Sequence, residues 1–237
     1  MKKFILFLAL LVLIPVLVLA YLGFVPYLSS LFGFSRPKDL GVRYKVSDMD
    51  SYNQKANFTV EKSKNVNSAL GVDFSGEAEL NQVFTKEEVS ARINYAPWKY
   101  MPIKNVQVNF PEDGVVEFSA NLLTGRIPPF LSAIGFSGVS QSDIEKGLGY
   151  LKYIGEPPVY AKARASVSSN RVEVSLISVQ VGKFSVPLES YDGNKIVKTV
   201  AEKIFSLVPG FYAESVNFSP SGMSFKGWAP AKGMVAE

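Results

Sequence analysis

Neither cysteine nor histidine occurs anywhere in the 237 residues. The first absence removes disulfides, thiolate nucleophiles and thiolate metal sites. The second removes imidazole bases, the Ser-His-Asp triad and nearly every zinc site. Catalysis is left to carboxylates, Lys, Tyr, Ser and Thr, and a chain without cysteine fits a place outside the cytoplasm, where stray oxidation is a hazard. Net charge is small as well. The formal +4 falls to +2 once Lys2 and Lys3 are set aside, 23 basic side chains facing 21 acidic ones. No run of Lys or Arg interrupts that balance, so nucleic acid is not expected as a partner. The phosphate-cradling G-x-x-x-x-G-K-[ST] and the nucleophile elbow G-x-S-x-G are also missing, "GFSGVS" being no match for the latter. No cofactor and no metal is implied.

Apolar side chains are plentiful at 47%, with 17 Phe and 11 Tyr, enough for the core of one domain. Residues 4–35 carry no charge behind the opening Met-Lys-Lys. As a helix they would reach roughly 48 Å against a hydrocarbon core of about 30 Å, so residues 4–25 suffice to span. Tyr27, Phe32 and Phe34 then fall where an aromatic belt meets the interface, and Pro15 would kink the span. A cleaved signal peptide with Val18 and Ala20 at the cleavage site is the competing reading. The apolar run continues past Ala20, which favours a retained anchor. A single-pass protein of the cell membrane follows, its main domain outside the cytoplasm.

The rest reads as an α+β domain: a curved, mainly antiparallel sheet with helices on one face. A helix capped by Ser47 precedes a polar, turn-rich stretch, "EKSKNVNSALGVDFSG", read as loop or irregular strand. "TKEEVSARIN" opens a helix through a Thr85/Glu88 capping box, with Glu88 four residues before Arg92. "NVQVNFPEDGVVEFSANL" is a hairpin around Pro-Glu-Asp-Gly, and a longer hairpin turns at Ser169-Asn170. A further helix starts at a Ser142/Glu145 capping box. "NKIVKTVAEKIFSLV" is amphipathic, with Ile196, Val197, Val200, Ile204 and Val208 on one stripe. Helix, loop and "VNFPEDG" recur as helix, loop and "VNFSPSG", suggesting a duplicated α-β-β unit. The expected organisation is a transmembrane signal anchor over residues 1–31, a linker over 32–41, the outer domain over 42–229 and a flexible tail over 230–237.

One strand breaks its own rhythm. Val172, Val174 and Leu176 alternate in one phase, Ile177, Val179 and Val181 in the other, and after Gly182 the set Phe184, Val186 and Leu188 returns to the first. Each slip of one residue turns the apolar set to the opposite face, so bulges or bends are expected at Leu176-Ile177 and at Gly182.

Two loops are unusually apolar. "NYAPWKYMP" carries Trp98, Tyr100 and Met101, and "RIPPFLSAIGFSG" carries Ile127, Phe130, Leu131, Ile134 and Phe136. Together with Val181 and Phe184 they are the candidate lining of an apolar ligand site. The alternative is that these side chains plug the core. Carboxylates occur as Asp48/Asp50, Glu87/Glu88, Glu112/Asp113 and Glu173. The first two pairs sit in first turns of helices, where capping and the helix dipole account for them, and no catalytic residue is assigned.

The order of anchor, helix, hairpin, the strand "VQVGKFSVPLE", helix and closing hairpin "VNFSPSGMSFKG" resembles the YpmS-like membrane-anchored proteins of Gram-positive envelopes. It is also similar to the LmeA-like lipid-binding envelope proteins of mycobacteria. The shared cues are Val181, Gly182, Val186, Pro187 and Leu188, and the closing strand from Gly222 to Gly227, over roughly residues 77–229. The resemblance implies an outward-facing domain that binds a membrane lipid or another amphiphile without catalysis. An interaction module presenting aromatic loops to an envelope protein partner stays open beside it.

Overall fold

The chain alternates short helices with strands whose edges the helices cover. A computed structural model describes residues 13–17, 36–136, 156–190 and 192–236. In order come α1 (Val46–Lys55), β1 (Thr59–Ser63), β2 (Val72–Ser75), β3 (Ala78–Phe84), α2 (Lys86–Tyr95), β4 (Ile103–Asn109) and β5 (Val115–Leu122). A short helix α3 (Ile127–Ala133) follows, then β6 (Pro158–Ser168), β7 (Arg171–Val181), β8 (Phe184–Ser185), α4 (Gly193–Leu207), β9 (Tyr212–Ser219), β10 (Gly222–Ala229) and β11 (Lys232–Ala236). The result is α+β, with mostly antiparallel pairing and no closed barrel.

The large sheet is organised by β6. Residues 158–164 of β6 pair with β5, which pairs with β4; Val167 and Ser168 pair with β9, which continues through β10 to β3. β7 runs along β6 as a hairpin, turning at Ser169 and Asn170, both at positive φ. Two such residues make the type I′ turn that matches strand twist. A smaller sheet has the order β1-β11-β2, with β1 parallel to β11 and β2 antiparallel to it.

The phase slip in β7 is a bulge. Lys162 pairs with Ser178 and Ala163 with Leu176, leaving Ile177 as the extra residue, 47% exposed. Ala161 and Val159 then face Val179 and Val181, while Ala163, Ala165 and Val167 face Leu176, Val174 and Val172. The odd residues of β6 share one face, so both apolar sets of β7 lie on that face. The bulge absorbs the slip instead of turning the strand over. Gly182 makes the next turn at φ +62.

Helix side chains satisfy strand edges directly. On α2, Asn94 donates to the Val106 carbonyl (2.8 Å) and accepts from the Val106 amide (2.9 Å), while Ser90 Oγ accepts from the Val108 amide at 2.9 Å. On α4, Asn194 and Glu202 accept from the amides of Leu176 (2.8 Å) and Val172 (2.9 Å) on β7. An edge treated this way no longer offers free donors to another chain.

Several expectations change here. α1 begins at Val46 and not after a Ser47 cap: the Lys45 amide donates to Asp48 Oδ2 at 2.6 Å. Of the stretch read as loop or irregular strand, residues 61–63 end β1 and 72–75 form β2. Residues 230–237, expected as a flexible tail, carry β11, the middle strand of the small sheet, because Val235 finds buried apolar neighbours and both edges find partners. The end of the expected linker is docked. The Leu40 and Val42 amides donate to Gln107 Oε1 at 2.8 and 3.3 Å, and Val42 is buried. The two α-β-β stretches share their element order, but one joins β6 through its second strand and the other through its first. No helix among the described residues is long and apolar enough to cross a membrane. The expected span lies outside them except for residues 13–17, which are helical. Tyr27, Phe32, Phe34 and the Ser142/Glu145 cap also lie outside the described residues.

Candidate functional site

Between the small sheet and three helical segments lies a cavity of about 250 Å³. β1 contributes Val60, β2 contributes Val72 and Phe74, and β11 contributes Gly233 and Val235, with Phe58 and Leu70 from the adjoining turns. Opposite them stand Arg92, Ile93 and Ala96 of α2 and its extension, the loop residues Pro97, Trp98 and Met101, Ile134 after α3, and Ile204, Leu207 and Val208 from the end of α4. All but Arg92 are apolar. An apolar cavity of about 150 Å³ already stays dry and admits a benzene-sized guest, so this one has room for hydrocarbon.

The walls are held by specific contacts. Trp98 Nε1 donates to the Leu70 carbonyl at 2.8 Å, which satisfies the one polar atom of its ring. Phe130 meets the Trp98 ring edge-on at 5.7 Å and Tyr100 meets it at 6.4 Å. Gly233 lets β11 pass under Phe58: a Cβ there would lie 2.8 Å from the Phe58 ring. A smaller cavity of about 190 Å³ abuts the first, sharing Phe58, Phe74, Arg92 and Val208, and extends toward Tyr52, Phe84 and Phe225.

Of the residues singled out from the sequence, Trp98, Met101 and Ile134 line the larger cavity, and Ile134 is 1% exposed. Tyr100 and Phe130 stand behind Trp98. Ile127, Leu131 and Phe136 are outside the lining. Val181 and Phe184 pair with each other across the β7–β8 turn and line neither apolar cavity. The sequence reading missed the contribution of β1, β2 and β11, and it missed Arg92. An arginine on the apolar side of an amphipathic helix, beside Ile93 and Val89, was the signal available for the latter.

Glu88 and Arg92 were expected to pair along α2. Instead Glu88, 5% exposed, accepts from Lys55 Nζ (2.8 Å), Ser51 Oγ (2.6 Å) and the Thr85 amide (2.8 Å), because α1 packs across α2 and brings two donors to it. Burial pushes the Glu88 carboxyl up, but these hydrogen bonds outweigh it and hold its pKa below the ordinary value. Arg92 lies over the Phe58 and Tyr52 rings, its Cζ 5.2 and 5.9 Å from their centroids. Burial draws its pKa below the ordinary guanidinium value.

A wider depression of about 360 Å³ runs beside the β4–β5 and β9–β10 turns, lined by Asp113, Ser166, Asn217, Ser219 and Ser224 among others. Its lining mixes these with Gly114, Ala165 and Phe218, and among the described residues it brings one carboxylate, not a facing pair. Elsewhere Glu117 accepts from Tyr160 Oη at 2.7 Å and from Asn109 at 3.1 Å, and Glu112 faces Arg164 at 4.0 Å. Among the described residues no group of three or more acidic side chains is placed to hold a metal ion. Comparison with family models, with curated proteins and with solved structures finds no match.

Proposed function

We propose that this protein is a non-catalytic binder of a lipid or similar amphiphile, held in the cavity between the small sheet and α2, α3 and α4. The observation that carries the reading is a cavity of about 250 Å³ in which every lining side chain but one, among the described residues, is apolar. Burial of hydrocarbon there is favourable by about 25 cal/mol per Å² of apolar surface. Pro97 is exposed at the cavity's margin, and Leu70, Met101 and Leu207 are half-buried, which supports entry from solvent or from a membrane surface. The uncharged stretch of residues 4–35 supports a membrane anchor, with the domain outside the cytoplasm. The resemblance to lipid-binding envelope proteins agrees with both. The bulges in β7 and β9 support a curved sheet, and the repeated α-β-β order a duplicated unit.

A second reading draws on Ile177, Phe184, Ile196 and Val197, large apolar side chains exposed among the described residues on β7, β8 and α4. They favour an interaction module for an envelope protein.

Filling the cavity separates the two. Val60→Phe on β1 places a ring in the space and leaves the exposed side chains Ile177, Phe184, Ile196 and Val197 unaltered. With circular dichroism unchanged, the full-length variant should bind the neutral dye Nile red at least about fivefold more weakly than the unmodified chain, since lost apolar contact is lost affinity. Equal dye binding by a folded variant would overturn the cavity as the binding site.

A further inference from the structure

Among the described residues Arg92 is the only charged one in the lining of either apolar cavity, and it stands where the two adjoin. Its guanidinium carries five donors and does not lose its proton. Among the described residues it has no ion pair or hydrogen bond, and its neighbours are the faces of Phe58 and Tyr52. Aromatic faces attract a cation but accept no fork of hydrogen bonds. The natural partner one helical turn away, Glu88, is occupied by Lys55 and Ser51. Arg92 is half-buried, and a charge partly withdrawn from water with no protein acceptor favours a ligand that supplies one.

We infer that the cavity's ligand is an anionic single-chain amphiphile, its carboxylate or phosphate on the Arg92 guanidinium and its chain against Val60, Val72 and Val235. This rests on the amphiphile reading above and adds the head-group class. Among the described residues no carboxylate lines either apolar cavity, so they offer no partner to the ammonium of a cationic or zwitterionic head. A planar guanidinium suits a two-oxygen acceptor, which both carboxylate and phosphate present.

Trp98 lines the cavity, and the chain has one other tryptophan, Trp228, so a Trp228→Phe background makes Trp98 emission a local reporter. The full chain is titrated with decanoate, decyl phosphate and 1-decanol, each below its aggregation limit, with Arg92 intact and with Arg92→Gln or Arg92→Lys. With Arg92 intact, at least one anion should bind about tenfold more tightly than the alcohol, and the tighter anion identifies the head group. In Arg92→Gln that preference should fall below about threefold while decanol binding stays nearly unchanged; Arg92→Lys should retain part of it. Equal binding of all three ligands to the intact protein overturns the head-group assignment and leaves the amphiphile reading standing. So does a uniform loss for all three in a folded Arg92→Gln. Absence of binding by any of the three overturns both.

Discussion

Glu88 holds an α2 amide partner, a serine and a lysine at once, and each bond is reached by a different route through the sequence. The reciprocal bond with Thr85 was legible, because a capping box is a local pattern of four residues. The bonds from Ser51 and Lys55 were not, since they depend on how α1 crosses α2. Arg92 was misassigned for the same reason: helical spacing offers Glu88 as its partner, and tertiary packing gives that partner away. Glu88→Gln preserves shape and the capping bond but leaves Lys55 without its counter-charge. It should cost about 1–3 kcal/mol at pH 7. Because the folded pKa of Glu88 lies below its unfolded value, the stabilisation is complete above the unfolded pKa of about 4.3 and is lost as pH falls through the folded one. Urea unfolding of both proteins should therefore give a gap that narrows between pH 7 and about pH 3. A gap independent of pH would contradict the ion-pair account.

Among the elements, the hairpins and the α2 and α4 helices were readable because their signals are short-range. "PEDG" and Ser169-Asn170 mark turns, and the broken alternation at Leu176-Ile177 marked the bulge that the register contains. The small sheet was not readable. β1 and β2 are five and four residues long, and β1 pairs in parallel with a strand from the far end of the domain, Thr59 beside Lys232. Nothing local encodes such a pairing, and a short closing segment of Lys, Gly, Met, Val and Ala looks like a tail. Removing residues 230–237 tests the difference. It strips β1 and β2 of their shared partner, uncovers Phe58 and removes the buried Val235, so unfolding free energy should drop by at least about 3 kcal/mol in urea titrations. A truncated chain as stable as the intact one would mean that β11 contributes nothing to the fold.

Across the whole molecule, the candidate site is assembled from pieces that sequence order keeps apart: the small sheet, the end of α2 with its aromatic loop, Ile134 and the end of α4. The two aromatic loops pointed toward it, and Trp98, Met101 and Ile134 do meet there. β7, whose rhythm drew attention, does not line it, because its bulge keeps both apolar sets on the face toward β6's odd residues. Apolar composition announces burial but cannot say whether the buried space is filled; only the separation of the small sheet from α2 and α4 leaves it open. The most direct measurement is non-denaturing mass spectrometry of the full chain purified from a bacterial host with no lipid added, beside Val60→Phe prepared identically. The account predicts a discrete adduct of single-chain amphiphile mass on the unmodified chain, released on denaturation and absent from the variant. A bare protein mass for both, with no uptake of added decanoate, would contradict it.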